Sequence, residues 1–115
     1  MKFNLIVIRT KEPQLLKKQY ELLGFKFDYH QHGKGPLHYA SEKDGFVFEI
    51  YPLTKSMKEA DSSLRLGISV ESLDLTIKHI KNSSWKIISD IKDTEWGLTA
   101  IIQDMDGRKI ELKNT

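Results

Sequence analysis

The chain has 115 residues, no cysteine, and 18 basic against 16 acidic side chains, a net charge of +2. That is one domain's worth of sequence, able to bury a core without disulfide staples and without thiolate chemistry. The near balance of charge gives no electrostatic case for nucleic acid. The longest apolar stretch, Leu5 to Ile8, is far too short to span a bilayer, and the N-terminus lacks the apolar core of a signal peptide. A soluble, cytoplasmic protein with neither a nucleic-acid nor a membrane partner is expected.

Phe3 to Arg9 is an apolar, β-branched run and reads as the first strand. Glu12-Pro13 opens a helix, since proline is tolerated in the first turn. Leu15, Leu16, Tyr20 and Leu23 are expected on its buried side, and Gly24 as its left-handed stop. Phe25 to Gln31 reads as a second strand, and Gly33-Lys34-Gly35-Pro36 breaks the chain. Leu37 to Ser41 and Phe46 to Tyr51 read as strands three and four, joined by a hairpin turn at Asp44-Gly45. The polar stretch from Leu53 reads as a connector, with a helical turn expected at Ser56-Met57-Lys58-Glu59 from its capping-box spacing.

The pattern then restarts. Leu64 to Val70 reads as a strand, and Ser72 caps a helix carrying Leu73, Ile77 and Ile80. Asn82-Ser83-Ser84 ends that helix. Trp85 to Ile91, Leu98 to Gln103 and Lys109 to Lys113 give three more strands. Each half therefore reads βαβββ. The halves match at an offset of 60 in front, Ile8 with Ile68, and 62 behind, where Asp44-Gly45-Phe46-Val47-Phe48-Glu49-Ile50 returns as Asp106-Gly107-Arg108-Lys109-Ile110-Glu111-Leu112. Both offsets are even, so strand faces are kept.

Paired βαβββ modules ending in Asp104-Met105-Asp106-Gly107-Arg108-Lys109-Ile110-Glu111-Leu112, with Leu22-Leu23-Gly24-Phe25 after the first helix, resemble the glyoxalase/bleomycin-resistance/extradiol-dioxygenase superfamily. The segments His32 to Ala40 and Glu49-Ile50-Tyr51-Pro52 resemble an uncharacterised glyoxalase-like branch. The resemblance implies an α+β fold: a curved, cup-shaped mixed sheet with the helices outside. It also implies a single domain over 1–115, with module one at about 3–52, a connector at 53–63 and module two at about 64–113. A homodimer is implied as well. In metal-dependent members four ligands line the cup, from the first and last strand of each module. Here Glu49 and Glu111 match the last-strand positions. Leu5 and Arg65 occupy the first-strand positions and depart, since leucine has no lone pair and arginine is a permanent cation. Two carboxylates alone make a poor transition-metal site, so neither the family metal nor another cofactor is expected.

Arg65 can stand in electrostatically for the lost metal or hold an anionic ligand; the plainer reading is an arginine snorkelling from a strand start. If Asp44-Gly45 forms a two-residue turn, Ala40 lies opposite Glu49, and His38 shares a face with Glu49 and Tyr51. His38 and Glu49 then form a candidate acid/base pair, or His38 is a structural histidine bonded to a carbonyl. His30, His32 and His38 offer an imidazole metal site, though beside a glycine loop they read more simply as exposed. Gly33-Lys34-Gly35 lacks the phosphate-loop spacing. Trp85 and Trp96 read as core or cup-wall residues.

The expected ligand-facing set is Arg9, His38, Glu49, Tyr51, Arg65 and Glu111, with Leu5 and Val7 as apolar wall. The catalytic candidates are His38, Glu49 and Glu111. Three functions follow: a metal-independent protein binding a small polar or anionic molecule, an acid/base lyase- or dioxygenase-like enzyme, or an interaction domain with a filled, vestigial cup.

Overall fold

The computed structural model describes residues 1–31 and 33–115; the metal expectation attached to His32 lies outside them. The chain divides into two compact units, Met1–Asp61 and Ser62–Thr115. The first carries β1 (Leu5–Thr10), α1 (Pro13–Glu21), β2 (Asp28–His30), β3 (His38–Lys43) and β4 (Phe46–Pro52). The second carries β5 (Leu66–Val70), α2 (Leu73–Ile80), β6 (Lys86–Thr94), β7 (Gly97–Gln103) and β8 (Lys109–Asn114). Each forms a four-stranded mixed sheet, in the order β1-β4-β3-β2 and β5-β8-β7-β6. The α+β class and the twofold βαβββ reading are what the structure has.

The offsets of 60 and 62 carry the strand pairing of one unit onto that of the other. β1 lies parallel to β4 with Ile8 beside Ile50 and Val7 beside Glu49. β5 lies parallel to β8 with Ile68 beside Leu112 and Gly67 beside Glu111. The two glutamates therefore hold equivalent places in their sheets.

In the first unit Pro13 opens α1, and Leu16, Gln19 and Tyr20 form its buried face. Leu15 was expected there but is about half exposed, at 52%. It sits one residue, about 100° of helix, away from Leu16, and the face is completed by Gln19 instead. Gly24 stops the helical turn at φ +109, a conformation that favours glycine. Tyr20, Phe25 and Phe27 then gather on Phe48, with ring centroids 5.2, 5.1 and 5.9 Å away from it. That packing engages Phe25 and Phe27, and β2 is only three residues long where a strand from Phe25 was expected. Asp44 and Gly45 both have positive φ, as the tight hairpin between β3 and β4 requires. The expected helical turn at Ser56–Glu59 is absent. Met57 N–H donates to the Thr54 carbonyl at 3.1 Å, an isolated turn.

In the second unit the Ser72 hydroxyl accepts from Leu75 N–H at 3.2 Å, capping α2 as expected. The Asn114 side chain also accepts from Leu73 N–H at 2.7 Å, tying the end of β8 to the start of the helix. Leu73, Ile77 and Ile80 are buried against the sheet, with Trp85, Ala100, Ile102, Ile110 and Leu112. Each fully buried aliphatic side chain contributes roughly 1.5–3 kcal/mol. β6 runs on to Thr94, beyond the expected Ile91, and its pairing with β7 shifts register around Ser89.

Candidate functional site

The face of the first sheet away from α1 is built in rows that cross its strands. Alternation puts Leu5, Val7 and Arg9 on that face, and it buries Ile8 and Thr10 on the other. One row joins all four strands through Arg9, Tyr51, His38 and His30. Arg9 is paired with Tyr51, and His30 with His38. The Arg9 guanidinium lies 4.9 Å from the Tyr51 ring centroid, and its Nη1 donates to the Pro52 carbonyl at 3.0 Å. Tyr51 and His38 stack almost flat, 4.2 Å apart at 6°. The His30 ring lies 5.8 Å beyond His38. Cation and rings thus form one continuous stack along the row.

His38 is 1% exposed, deep for a histidine. Its Nδ1 lies 3.2 Å from the Pro36 carbonyl, which can only accept, so Nδ1 carries a proton in that contact. Its Nε2 lies 3.0 Å from Glu49 Oε2. With Pro36 and Glu49 at its two nitrogens and almost no exposed surface, His38 is placed to orient Glu49 rather than to meet a ligand itself. Tyr51 is held as a neutral phenol: burial raises its pKa above 10.0, Glu49 raises it further, and Arg9 pulls the other way.

The next row holds Val7, Glu49, Ala40 and Asp28. Ala40 lies opposite Glu49, as the two-residue turn predicts. An open hollow of about 550 Å³ lies over this row, lined by Leu5, Asp28, His30, Ala40, Glu42, Val47 and Glu49 among others. The structure therefore brings Arg9, His38, Glu49 and Tyr51 together, with Glu49 reaching the hollow and His38 behind it. Asp28 and Glu42 were missed from the sequence; the signal was Ala40, whose cross-strand neighbour on the other side is Asp28.

The second unit repeats the arrangement with different chemistry. Glu111, exposed, lines a hollow of about 640 Å³ with Lys92, Thr94, Trp96, Thr99, Ile101 and Lys113. Trp96 is 69% exposed there, whereas Trp85 is core. Arg65 is exposed one residue before β5. It makes no ion pair among the described residues, so the expected fork to a carboxylate does not form. The buried charges of this unit are elsewhere. Arg108 Nη1 lies 3.2 Å from both Asp104 and Asp106, and Asp104 Oδ1 accepts from the Asp106 and Arg108 N–H groups. The second Asp-Gly phrase is thus a structural knot, which sequence reading took only as a turn.

The donor set does not fit the four-ligand metal site that the sequence resemblance raised. Leu5 lines the same hollow as Glu49 and offers no donor. No group of three or more potential ligands converges among the described residues.

No protein-family model matches the chain, and no curated relative matches it. Solved structures do. An antibiotic-binding protein of Streptomyces sp. CB03234 superimposes with a TM-score of 0.76 at 21% identity, covering 99% of this chain and 95% of its own. A glyoxalase/bleomycin resistance protein from the same Streptomyces gives 0.73 at 21% identity, covering 98% and 100%. The chain has the glyoxalase/bleomycin-resistance fold. A glyoxalase/bleomycin resistance protein/dioxygenase family enzyme of Burkholderia phytofirmans PsJN shares that fold at a TM-score of 0.75 and 12% identity, over 99% and 98% of the two chains. The three superpositions cover 99%, 98% and 99% of this chain. No helix among the described residues is long and apolar enough to cross a membrane.

Proposed function

We propose that this protein binds a small organic molecule over the first sheet, without a bound metal. The observation that carries the reading is the open hollow beside Glu49, backed by the buried His38. A concave site with an apolar floor and a few converging polar groups is what a small-molecule site requires. Leu5, Val47 and Ala40 supply the floor, and Glu49 the fixed polar group. Tyr51 is stacked on His38 and leaves the hollow open, which separates this reading from a vestigial interaction domain. That one neighbour of the same fold is an antibiotic-binding protein supports the class. Arg9, His38 and Tyr51 act as the wall that holds Glu49. Glu111 is its counterpart in the second unit, and Arg65 a surface cation beside that sheet. A cytoplasmic homodimer is the proposed setting, and light scattering should return twice the 13.3 kDa chain mass.

A second reading rests on the His38–Glu49 contact. A carboxylate held by an imidazole at the edge of a hollow can take a proton from a bound substrate. One experiment separates the two. A fragment library is screened by amide chemical shifts, and the bound compounds are recovered. Shifts at Leu5, Ala40 and Val47 with compounds returned intact support the binding protein. Chemically altered compounds support the enzyme. A library that leaves those three amides unmoved overturns both.

A further inference from the structure

We propose that the hollow of the first sheet takes a cationic group, an amine or amidine on a flat apolar body. The inference deepens the binding reading above and rests on it. Ala40 is the smallest side chain on its face, and three carboxylates surround it. Asp28 and Glu49 are its cross-strand neighbours on either side. They stand two strand spacings apart, about 10 Å, with only the Ala40 methyl between them. Glu42 lies two residues along β3 on the same face, beside Val47. All three acids line the hollow, and no lysine or arginine does. Asp28 and Glu42 make no ion pair among the described residues.

The apolar part of the site is equally placed. Leu5 is 48% exposed and lines the hollow with Val47, so an apolar ligand body would cover surface now in water. A cation at the Ala40 end would meet two carboxylates without an ion-pair partner among the described residues and a third beside His38. An anion would meet three like charges in a concavity that focuses their field. The equivalent hollow of the second unit has the opposite character, with Lys92 and Lys113 together in the cross-strand row next to Glu111. The acid at the shared position is thus common to both sheets, and the neighbours set the sign.

The test uses three probes of one shape on the full chain: benzamidinium, benzamide and benzoate, titrated while amide chemical shifts are recorded. Benzamidinium is expected to shift Leu5, Ala40 and Val47 and to bind at least tenfold more tightly than benzoate. Rising salt should weaken it, and D28N and E42Q should each weaken it several-fold. Both residues are exposed, so neither change threatens the fold, and K92Q in the second unit should leave binding unaltered. Equal or tighter binding of benzoate at those amides would overturn the cationic preference and leave the hollow as a binding site. Silence from all three probes at those amides would overturn the site itself. Undiminished benzamidinium binding in the D28N/E42Q double variant would also overturn the proposal.

Discussion

Tyr51 and Arg108 show how neighbours decide what a side chain does. Burial and Glu49 raise the Tyr51 pKa above 10.0, outweighing Arg9. The folded state therefore holds the phenol proton more tightly than the unfolded chain does. The resulting stabilisation is complete below the unfolded value and is lost as pH rises through the folded one. An ultraviolet titration should show a tyrosine ionising above the ordinary range, and Tyr51→Phe should remove that step; a variant that keeps it would refute the assignment. Arg108 is 1% exposed and sits against Asp104, itself 5% exposed. Arg108→Ala leaves that carboxylate buried and uncompensated, at a cost of about 3–5 kcal/mol in urea unfolding. A cost under about 1 kcal/mol would mean that water reaches Asp104 freely. The sequence repeats the tight-turn dipeptide at Asp106-Gly107 but could not mark Arg108 as interior, because an arginine's burial depends on what packs over it.

Within elements, signals confined to a few residues were legible, and those that needed a distant partner were not. Ser72, three residues before Leu75, was readable as a cap, and the structure has the bond. Ser72→Ala should cost about 1 kcal/mol and Ser72→Gly only a few tenths, both read from thermal melts. Equal losses would mean that the Asn114 contact, not the hydroxyl, holds the helix start. The strand expected from Phe25 failed for the converse reason. Its alternation is that of a strand, but Phe25 and Phe27 are engaged by Tyr20 and Phe48, which come from elsewhere in the chain. Leu15 failed likewise, since choosing between Leu15 and Gln19 requires knowing the direction from which the sheet approaches α1.

Across the whole chain, the repeat carried the architecture: residues related by the even offsets of 60 and 62 take matching positions in the two parallel pairings, which places Glu49 and Glu111 alike. Within the candidate site, the repeat marked Glu49, strand alternation Arg9, and the hairpin register His38 and Tyr51, whereas Asp28 needed the pairing of β2 with β3. Leu5 in place of a donor motivates a further expectation. Elemental analysis of purified protein should find well under one equivalent of transition metal, and added zinc or nickel should not raise the melting temperature. A stoichiometric ion contacting Glu49 would reverse that.

The stack of Arg9, Tyr51, His38 and His30 has a mechanical consequence. It ties the four strands of the first sheet at one end, alongside the hydrogen bonds that already run between them. At the other end the same sheet finishes in a bare two-residue hairpin at Asp44-Gly45, with Glu42 and Val47 above the hollow. One end carries a side-chain clamp and the other does not, so local opening of the sheet is expected to start at the hairpin. Amide exchange should run as a gradient, slow at Tyr39 and Ile50 and faster at Lys43 and Phe46.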